Sequence, residues 1–358
     1  MKVAIYSPYL DTFGGGERYI LTIAETLSLN VSVDLLFDAH LYSLGAEKLK
    51  KDLADRFNLN LSKVTTVKAP LGEGSNPVER YFYFKKYDVL FYLSDGSIFY
   101  PSSKKNILHI QTPLPKGAVK DLWNHFKLKG WDVIIYNSQF TKINSQQDWP
   151  IASQVIYPPV DTDKIKPLKK RKYILSVGRF FGYLKDKKHQ VLIESFKDIC
   201  KSEFLNNWSL HLVGSAGDGD KKYLAELMSL AKDIPIKFYP NLSFDNLTKL
   251  YGESSIYWHA AGFEESDPSK MEHFGISTVE AMAGGCVPVV INKGGQTEIV
   301  ENGKNGFLWN SLKDLRELTT QLIKNQGLRS KLSKDAFLSS HKFSKVRFSN
   351  EIRELIKA

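Results

Sequence analysis

Apolar residues along the chain gather into short unbroken runs rather than alternating with polar ones. Val3-Ala4-Ile5-Tyr6, Val89-Leu90-Phe91-Tyr92-Leu93 and Val287-Pro288-Val289-Val290-Ile291 are apolar at nearly every position. A strand of that kind is buried on both faces, as in a parallel sheet covered by helices. Further strands are predicted at 31–37, 64–68, 106–109, 131–136, 173–179, 210–213, 236–242 and 256–259. The stretches between several of them carry apolar residues at helical spacing, which predicts helices at 19–29, 43–57, 189–196 and 244–251, and two C-terminal helices at 312–338 and 344–357. Strand, loop and helix recur in the first half and start again near Tyr173. This predicts an α/β protein with two doubly wound parallel-sheet domains. The Pro158-Pro159 pair and the lysine-rich stretch to Lys172 mark the link between them.

The segment from Trp258 to Trp309 organises the second half. A polar loop follows the strand ending at His259, and Gly275-Ile276-Ser277-Thr278 opens a helix that Gly284-Gly285 closes. Gly294-Gly295 introduces a further short helix. Two carboxylates bracket the first helix opening, Glu272 just before it and Glu280 inside it. The amides around Gly275 and Ile276 stand at a helix N-terminus, where free N–H groups and the positive dipole end favour an anion. A phosphate held there, flanked by carboxylates able to hold hydroxyls, describes a nucleotide-sugar pocket.

Composition narrows the alternatives. At 358 residues the chain is long enough for two domains, and 42% hydrophobic with 25% charged residues is usual for a globular protein. No run approaches the roughly 18 apolar residues of a membrane span. MKVAIYSPYL turns polar too soon for a signal peptide and reads as a buried first strand. Cys200 and Cys286 lie far apart and outside any metal-ligand spacing, so a reducing, cytoplasmic setting fits. The net charge of +10 is carried partly by lysine clusters at 48–51, 85–86, 104–105, 166–172 and 185–188. No nucleic-acid-binding signature accompanies it, and an anionic membrane surface or a phosphate-bearing substrate explains it as well. Tyr81 to Phe84, beside Lys85-Lys86, read as a half-buried helix face, with a lipid- or aglycone-facing patch as the other reading. Asp218-Gly219-Asp220 sits in a glycine-rich loop and reads as a turn rather than a metal-binding DxD.

The run Glu272-His273-Phe274-Gly275-Ile276 through Glu280, with Gly285, Pro288 and Val289, resembles the donor-site signature of retaining family-4 glycosyltransferases. The resemblance covers essentially the whole chain. Gly14-Gly15-Gly16 after the first strand is similar to the family's N-terminal loop, and its pattern is neither a Walker A loop nor GxGxxG. His109, followed by Thr112-Pro113, resembles the family histidine beside the transferred sugar. Asn137 to Thr141 is similar to its strand-to-helix turn. Arg179 and Lys187 match the cations that neutralise the donor diphosphate, although the loop is long enough that Lys185 or Lys188 could serve instead. Gly214 ends the strand whose loop borders the nucleotide base.

The resemblance implies the GT-B fold, with the two domains facing across a cleft. Residues 1–165 would form the acceptor side, residues 166–339 the donor side, and a C-terminal helix at about 340–358 would pack back on the first domain. It implies transfer of a sugar from a nucleotide diphosphate to an acceptor hydroxyl with retention and without metal or other cofactor. Catalytic roles fall to Glu272, His109, Arg179 and Lys187. Donor binding falls to Gly15, Gly16, Arg179, Lys187, Gly214, Glu272, His273, Phe274, Gly275, Ile276 and Glu280. The loop 261–271 is longer than the shortest family pattern, and the Glu272–Glu280 run is similar to mannosyltransferases that extend lipid-linked oligosaccharides. GDP-mannose is therefore the expected donor, with UDP-glucose or UDP-GlcNAc next. The expected acceptor is a lipid-linked or polysaccharide hydroxyl, met at a cytoplasmic membrane face. Two rivals remain: a phosphorylase or epimerase of the same fold, and a non-catalytic membrane- or nucleic-acid-binding scaffold.

Overall fold

Every apolar run becomes a parallel strand. A computed structural model describes residues 1–94, 96–114, 122–145, 149, 151–201 and 207–357. The chain divides into one unit of residues 1–159 with 346–358, and a second of residues 160–345.

In unit 1 the strands are β1 (Lys2–Tyr6), β2 (Ser32–Phe37), β3 (Val64–Lys68), β4 (Val89–Ser94), β5 (Lys105–Ile110), β6 (Val133–Tyr136) and β7 (Ser153–Val155). They form one parallel sheet in the order β3-β2-β1-β4-β5-β6-β7. Ile5 of β1 lies opposite Leu35 on one side and Phe91 on the other. One face packs the helix Gly15–Ser28 through Tyr19, Ile20 and Ile23, and the other packs Phe84, Phe99 and Trp131. The helix begins at Gly15, four residues earlier than its apolar pattern predicts. The Glu17 carboxylate accepts from Gly14 N at 2.7 Å and from the Thr12 hydroxyl at 2.9 Å, which caps the glycine-rich opening. The final helix, Lys345–Lys357, places Phe348, Ile352 and Leu355 in the same core. Arg347 donates to Tyr157 O at 2.9 Å.

In unit 2 the strands are β8 (Tyr173–Val177), β9 (Ser209–Gly214), β10 (Ile236–Pro240), β11 (Ile256–His259), β12 (Val287–Ile291) and β13 (Phe307–Trp309). Their order is β10-β9-β8-β11-β12-β13, again parallel. Trp258, Val289 and Trp309 lie in one core cluster with Phe196 and Leu322. The helix expected over 312–338 is two helices, Leu312–Lys324 and Gln326–Ser340. Asn325 leaves helical geometry, and its side chain accepts from Leu328 N at 2.9 Å, so it caps the second helix instead of continuing the first.

Both sheets reverse winding direction once, between β1 and β4 and between β8 and β11. Ligands of such sheets bind beyond the carboxyl ends of the strands at that switch point. In unit 2 the segments there are 178–188, after β8, and 260–275, after β11.

Candidate active site

The chain leaves β8 through Gly178 and Arg179 and coils back before the helix His189–Cys200 begins. Lys185 and Lys188 both take left-handed backbone angles, φ 49° and 54°. That coil lays the Lys187 side chain over Gly178, where a Cβ would sit 2.7 Å from Lys187 Cγ. Gly214 is packed as tightly from the next strand, since a Cβ there would meet Gly178 O at 1.9 Å.

Lys187 reaches the segment after β11. Its Nζ lies 2.9 Å from Glu272 Oε2 and 3.5 Å from Asp186 Oδ2. His259, the last residue of β11, places Nε2 3.0 Å from the same Glu272 oxygen. Lys187 and Glu272 side chains are 20% and 21% exposed. Burial alone would raise the Glu272 carboxyl, but the Lys187 charge and the His259 contact outweigh it and hold the group well below the usual carboxylate range. Burial likewise opposes the Lys187 charge, yet Glu272 and Asp186 together raise its affinity for a proton. The site therefore holds a fixed cation and a fixed anion side by side.

The neighbouring lysines go elsewhere. Lys188 pairs with Glu265 at 2.6 Å, and Lys185 lies 3.7 Å from Glu226. Of the three, Lys187 is the one that joins Glu272. Arg179 rests over the Phe181 ring at 4.3 Å.

Glycines fix where Glu272 stands. Gly295 N donates to Glu272 O at 2.8 Å, and a Cβ on Gly295 would lie 2.4 Å from Phe274 Cα. The Gly294-Gly295 pair thus lets two backbones touch besides leading into the next helix. Gly275, at φ +119°, caps the helix Ile276–Ala283. Within that helix Glu280 is buried, and Tyr251 donates to its Oε2 at 3.0 Å. Phe274 is buried against Phe343, while His273 is partly exposed with Nε2 3.2 Å from Ser269 O. Arg179, Lys187, Glu272 and the opening at Gly275 thus all border the β8/β11 switch point.

Gly15, Gly16 and His109 belong to unit 1. Gly15 and Gly16 form the first turn of the helix after β1, and a Cβ on Gly16 would strike the Gln111 side chain at 2.1 Å. His109 is buried one residue before the end of β5, stacked on Tyr19 at 3.9 Å. Its Nδ1 lies 3.1 Å from Ile135 O, so that nitrogen carries the proton, and Nε2 has no partner among the described residues. Burial lowers its pKa to about 3, against the pull of the Ile135 carbonyl. A ring that stays neutral is suited to accepting a hydrogen bond rather than carrying a charge.

Asp218–Asp220 is a tight turn whose Asp220 carboxylate accepts from Gly217 N and Gly182 N at 2.9 and 3.0 Å. Among the described residues no group of three or more His, Cys, Asp or Glu side chains is placed to hold a metal. His259 escaped the sequence reading. Its signal was a polar residue closing the otherwise apolar strand Ile256-Tyr257-Trp258.

The two parallel sheets, each wound about a single switch point, make a GT-B fold. A glycosyltransferase from Rickettsia africae superposes with TM-score 0.73 at 20% identity, over 99% of this chain and 97% of that one. Anabaena HepE, solved with UDP and glucose, gives 0.71 at 18%, over 100% and 99%. The chain belongs to the family described as glycosyl transferases group 1, whose model matches residues 160–338. Among curated relatives it is 30% identical over 221 residues to the GDP-Man:Man(3)GlcNAc(2)-PP-Dol alpha-1,2-mannosyltransferase of Dictyostelium discoideum, covering 57% of this chain and 42% of that protein. The human protein of the same name is 28% identical over 252 residues, 63% and 49% of the two chains. The match thus spans less than half the length of these relatives. Among the described residues, no helix is long and apolar enough to cross a membrane.

Proposed function

We propose that the chain is a retaining hexosyltransferase that moves mannose from GDP-mannose to a hydroxyl of a lipid-linked oligosaccharide. The observation that carries this reading is the Lys187–Glu272–His259 cluster beside the helix opening at Gly275. The names of the curated relatives, as GDP-Man:Man(3)GlcNAc(2)-PP-Dol mannosyltransferases, support mannose and a lipid-linked acceptor. In this reading unit 2 takes the donor and unit 1 serves the acceptor.

The donor diphosphate sits over the N-terminus of the helix Ile276–Ala283, with Arg179 and Lys187 as its cations. Gly214 and Phe274 wall the nucleotide, and His273 borders it. Glu280, oriented by Tyr251, holds the ribose. Glu272, already aligned by Lys187 and His259, accepts from sugar hydroxyls. Within unit 1, Gly15, Gly16 and the neutral His109, near the ends of the strands, take the sugar-facing role that the family resemblance implies. As the bond between C1 and the diphosphate oxygen breaks, the acceptor oxygen bonds C1 from the same face. Its proton passes to the leaving phosphate oxygen, and the two cations and the helix dipole stabilise the charge that develops there. The reaction is placed at a cytoplasmic membrane face by its acceptor, and no metal is required by this scheme.

The test is thermal stabilisation by GDP, UDP, GDP-mannose, UDP-glucose and UDP-GlcNAc, paired with release of free sugar. A ligand at a hundred times its Kd adds about 2.7 kcal/mol. Selective stabilisation by GDP and GDP-mannose with slow mannose release is expected. Selectivity for UDP would replace the donor, and no response to any nucleotide would leave a non-catalytic scaffold.

A further inference from the structure

Two helices of unit 1 turn apolar side chains the wrong way for a solvated surface. In Pro77–Phe84 the buried member is Phe84, and in Leu122–Leu128 it is Leu128. Val78, Tyr81 and Phe82 of the first, and Leu122, Trp123 and Phe126 of the second, face solvent. Phe82 is 63%, Trp123 67% and Leu122 91% exposed. The half-buried face expected at Tyr81–Phe84 is therefore split, with Phe84 inside and Phe82 outside.

Tyr100 joins the two helices into one surface. Its ring lies 6.3 Å from Tyr81 and stacks on Phe126 at 5.0 Å, and Phe126 stacks in turn on Trp123 at 5.6 Å. Basic side chains frame it. Lys85 Nζ lies 4.8 Å over Tyr81 and 5.1 Å over Phe82, and Lys86 lies 3.8 Å over Tyr83. Lys127 lies in the last turn of the second helix and Lys129 just beyond it, and the helix carries no Asp or Glu over Leu122–Leu128. Glu79 is the acidic residue of the first helix, and the nearby Asp88 is neutralised by Lys104 at 2.7 Å.

A contiguous exposed apolar patch rimmed by polar residues marks a binding surface, and here that rim is mainly basic. Aromatic bodies with lysine ammonium groups beside them match the water–lipid boundary, where rings enter the headgroup layer and lysines meet anionic lipid. A nucleic acid stacks its bases on ring faces, whereas here Tyr100, Phe126 and Trp123 already stack in a row and Lys85 lies over Tyr81 and Phe82. We propose that this aromatic and basic surface docks unit 1 on an anionic lipid leaflet. Its existence does not depend on the donor. Only its purpose, bringing the enzyme to a lipid-linked acceptor, rests on the function proposed above.

The chain supplies its own probe. Of its six tryptophans, Trp131, Trp149, Trp208, Trp258 and Trp309 are buried and Trp123 alone is exposed. Vesicles of equal parts phosphatidylcholine and phosphatidylglycerol, carrying brominated acyl chains, should quench Trp123 in the unaltered protein, and phosphatidylcholine alone should not. Lys85→Gln with Lys86→Gln should weaken sedimentation with the anionic vesicles roughly twenty-five-fold, about fivefold per lysine. Raised salt should weaken it further. Trp123→Ser with Phe126→Ser should abolish it, while Leu338→Ser, an equally exposed apolar residue of unit 2, should leave it unchanged. All variants should keep the nucleotide-induced thermal shift of the parent, which separates loss of docking from loss of folding or of donor binding. Absence of quenching, or binding unaltered in both double variants, overturns the proposal. So does patch-dependent dimerisation or RNA binding without vesicle binding.

Discussion

Replacing Lys187 by Met tests the geometry of the donor site directly. At 2.9 Å from Glu272, the ion pair is worth about 6 kcal/mol gross at an effective dielectric of about 20. Desolvating the ammonium takes back several kcal/mol, and His259 remains 3.0 Å from the same oxygen after the change. Fully buried pairs broken on one side lose roughly 3–5 kcal/mol. With both side chains about one-fifth exposed, the expected cost is about 2–3 kcal/mol. The readout is labelling of Cys286 in a Cys200→Ser background. Cys286 is fully buried, its Sγ donates to Tyr251 O and Ser254 O, and burial raises its pKa to about 11, so it reacts only when unit 2 opens. Glu272 has its acidity increased by folding, so its share of the stability is present above about pH 4.3 and is lost as pH falls through its lower folded value. Lys187 has its pKa raised, so its share is present below about pH 10.4 and is lost as pH rises beyond that. The difference between parent and variant should thus be flat from about pH 5 to 10. In a Glu272→Gln background the same replacement should cost under about 1 kcal/mol. A cost below about 0.5 kcal/mol, or an equal cost in both backgrounds, would refute the pairing.

Gly275→Ala forces φ +119° on a residue with a Cβ 2.5 Å from Gln296 Nε2, and should lower stability by about 2–3 kcal/mol in a thermal melt while removing the nucleotide response. Tyr251→Phe strips a donor from the buried Glu280 carboxylate, and calorimetry should show weaker nucleotide binding together with a loss of about 1–3 kcal/mol in stability; unchanged values on both counts would exclude the ribose role. Burial lowers His109 to about 3 and His189 and His211 to about 4, so their neutral folded forms contribute stability above about pH 6.5 that is lost as pH falls toward those values. Urea midpoints should fall between pH 6.5 and 5, on the order of 2 kcal/mol per histidine, and a midpoint constant over that range would contradict the buried neutral rings.

Most strands were legible because they lie between helical layers, so a continuous run such as Val89–Leu93 could be apolar without regard to side. The three-residue strands β7 and β13 went unread, and the strands β3, β7 and β10 at the sheet edges are only partly buried. Helix ends were less so. Gly14-Gly15-Gly16 has no side chain to signal a cap, and only Glu17 folding back onto Gly14 N starts the helix there. Asn325 breaks the C-terminal helix through one side-chain bond to Leu328 N, a local event that apolar spacing passes over. The exposed rings at Phe82 and Trp123 were ambiguous for a related reason. Spacing shows that a helix has an apolar side, but which neighbour covers it is a matter of tertiary packing.

The donor cluster shows most clearly what spacing leaves open. Lys185, Lys187 and Lys188 are chemically equivalent in the sequence, and a regular helix or strand would have pointed them by simple periodicity. They sit instead in a coil with two left-handed residues, Lys185 and Lys188, so the direction of each side chain depends on backbone angles that lysine seldom adopts. Tertiary contacts hold those angles. Gly178 leaves room for the Lys187 stem, while Glu265 and Glu226 draw the other two ammonium groups away. The loop 261–271, read in sequence only as an insertion, supplies Glu265 and so helps select which cation meets Glu272. If that is its role, Glu265→Gln should release Lys188, and the loss of nucleotide affinity on Lys187→Met should shrink in that background as Lys188 takes over the anion. An undiminished loss would mean that the coil alone, without the loop, aims Lys187.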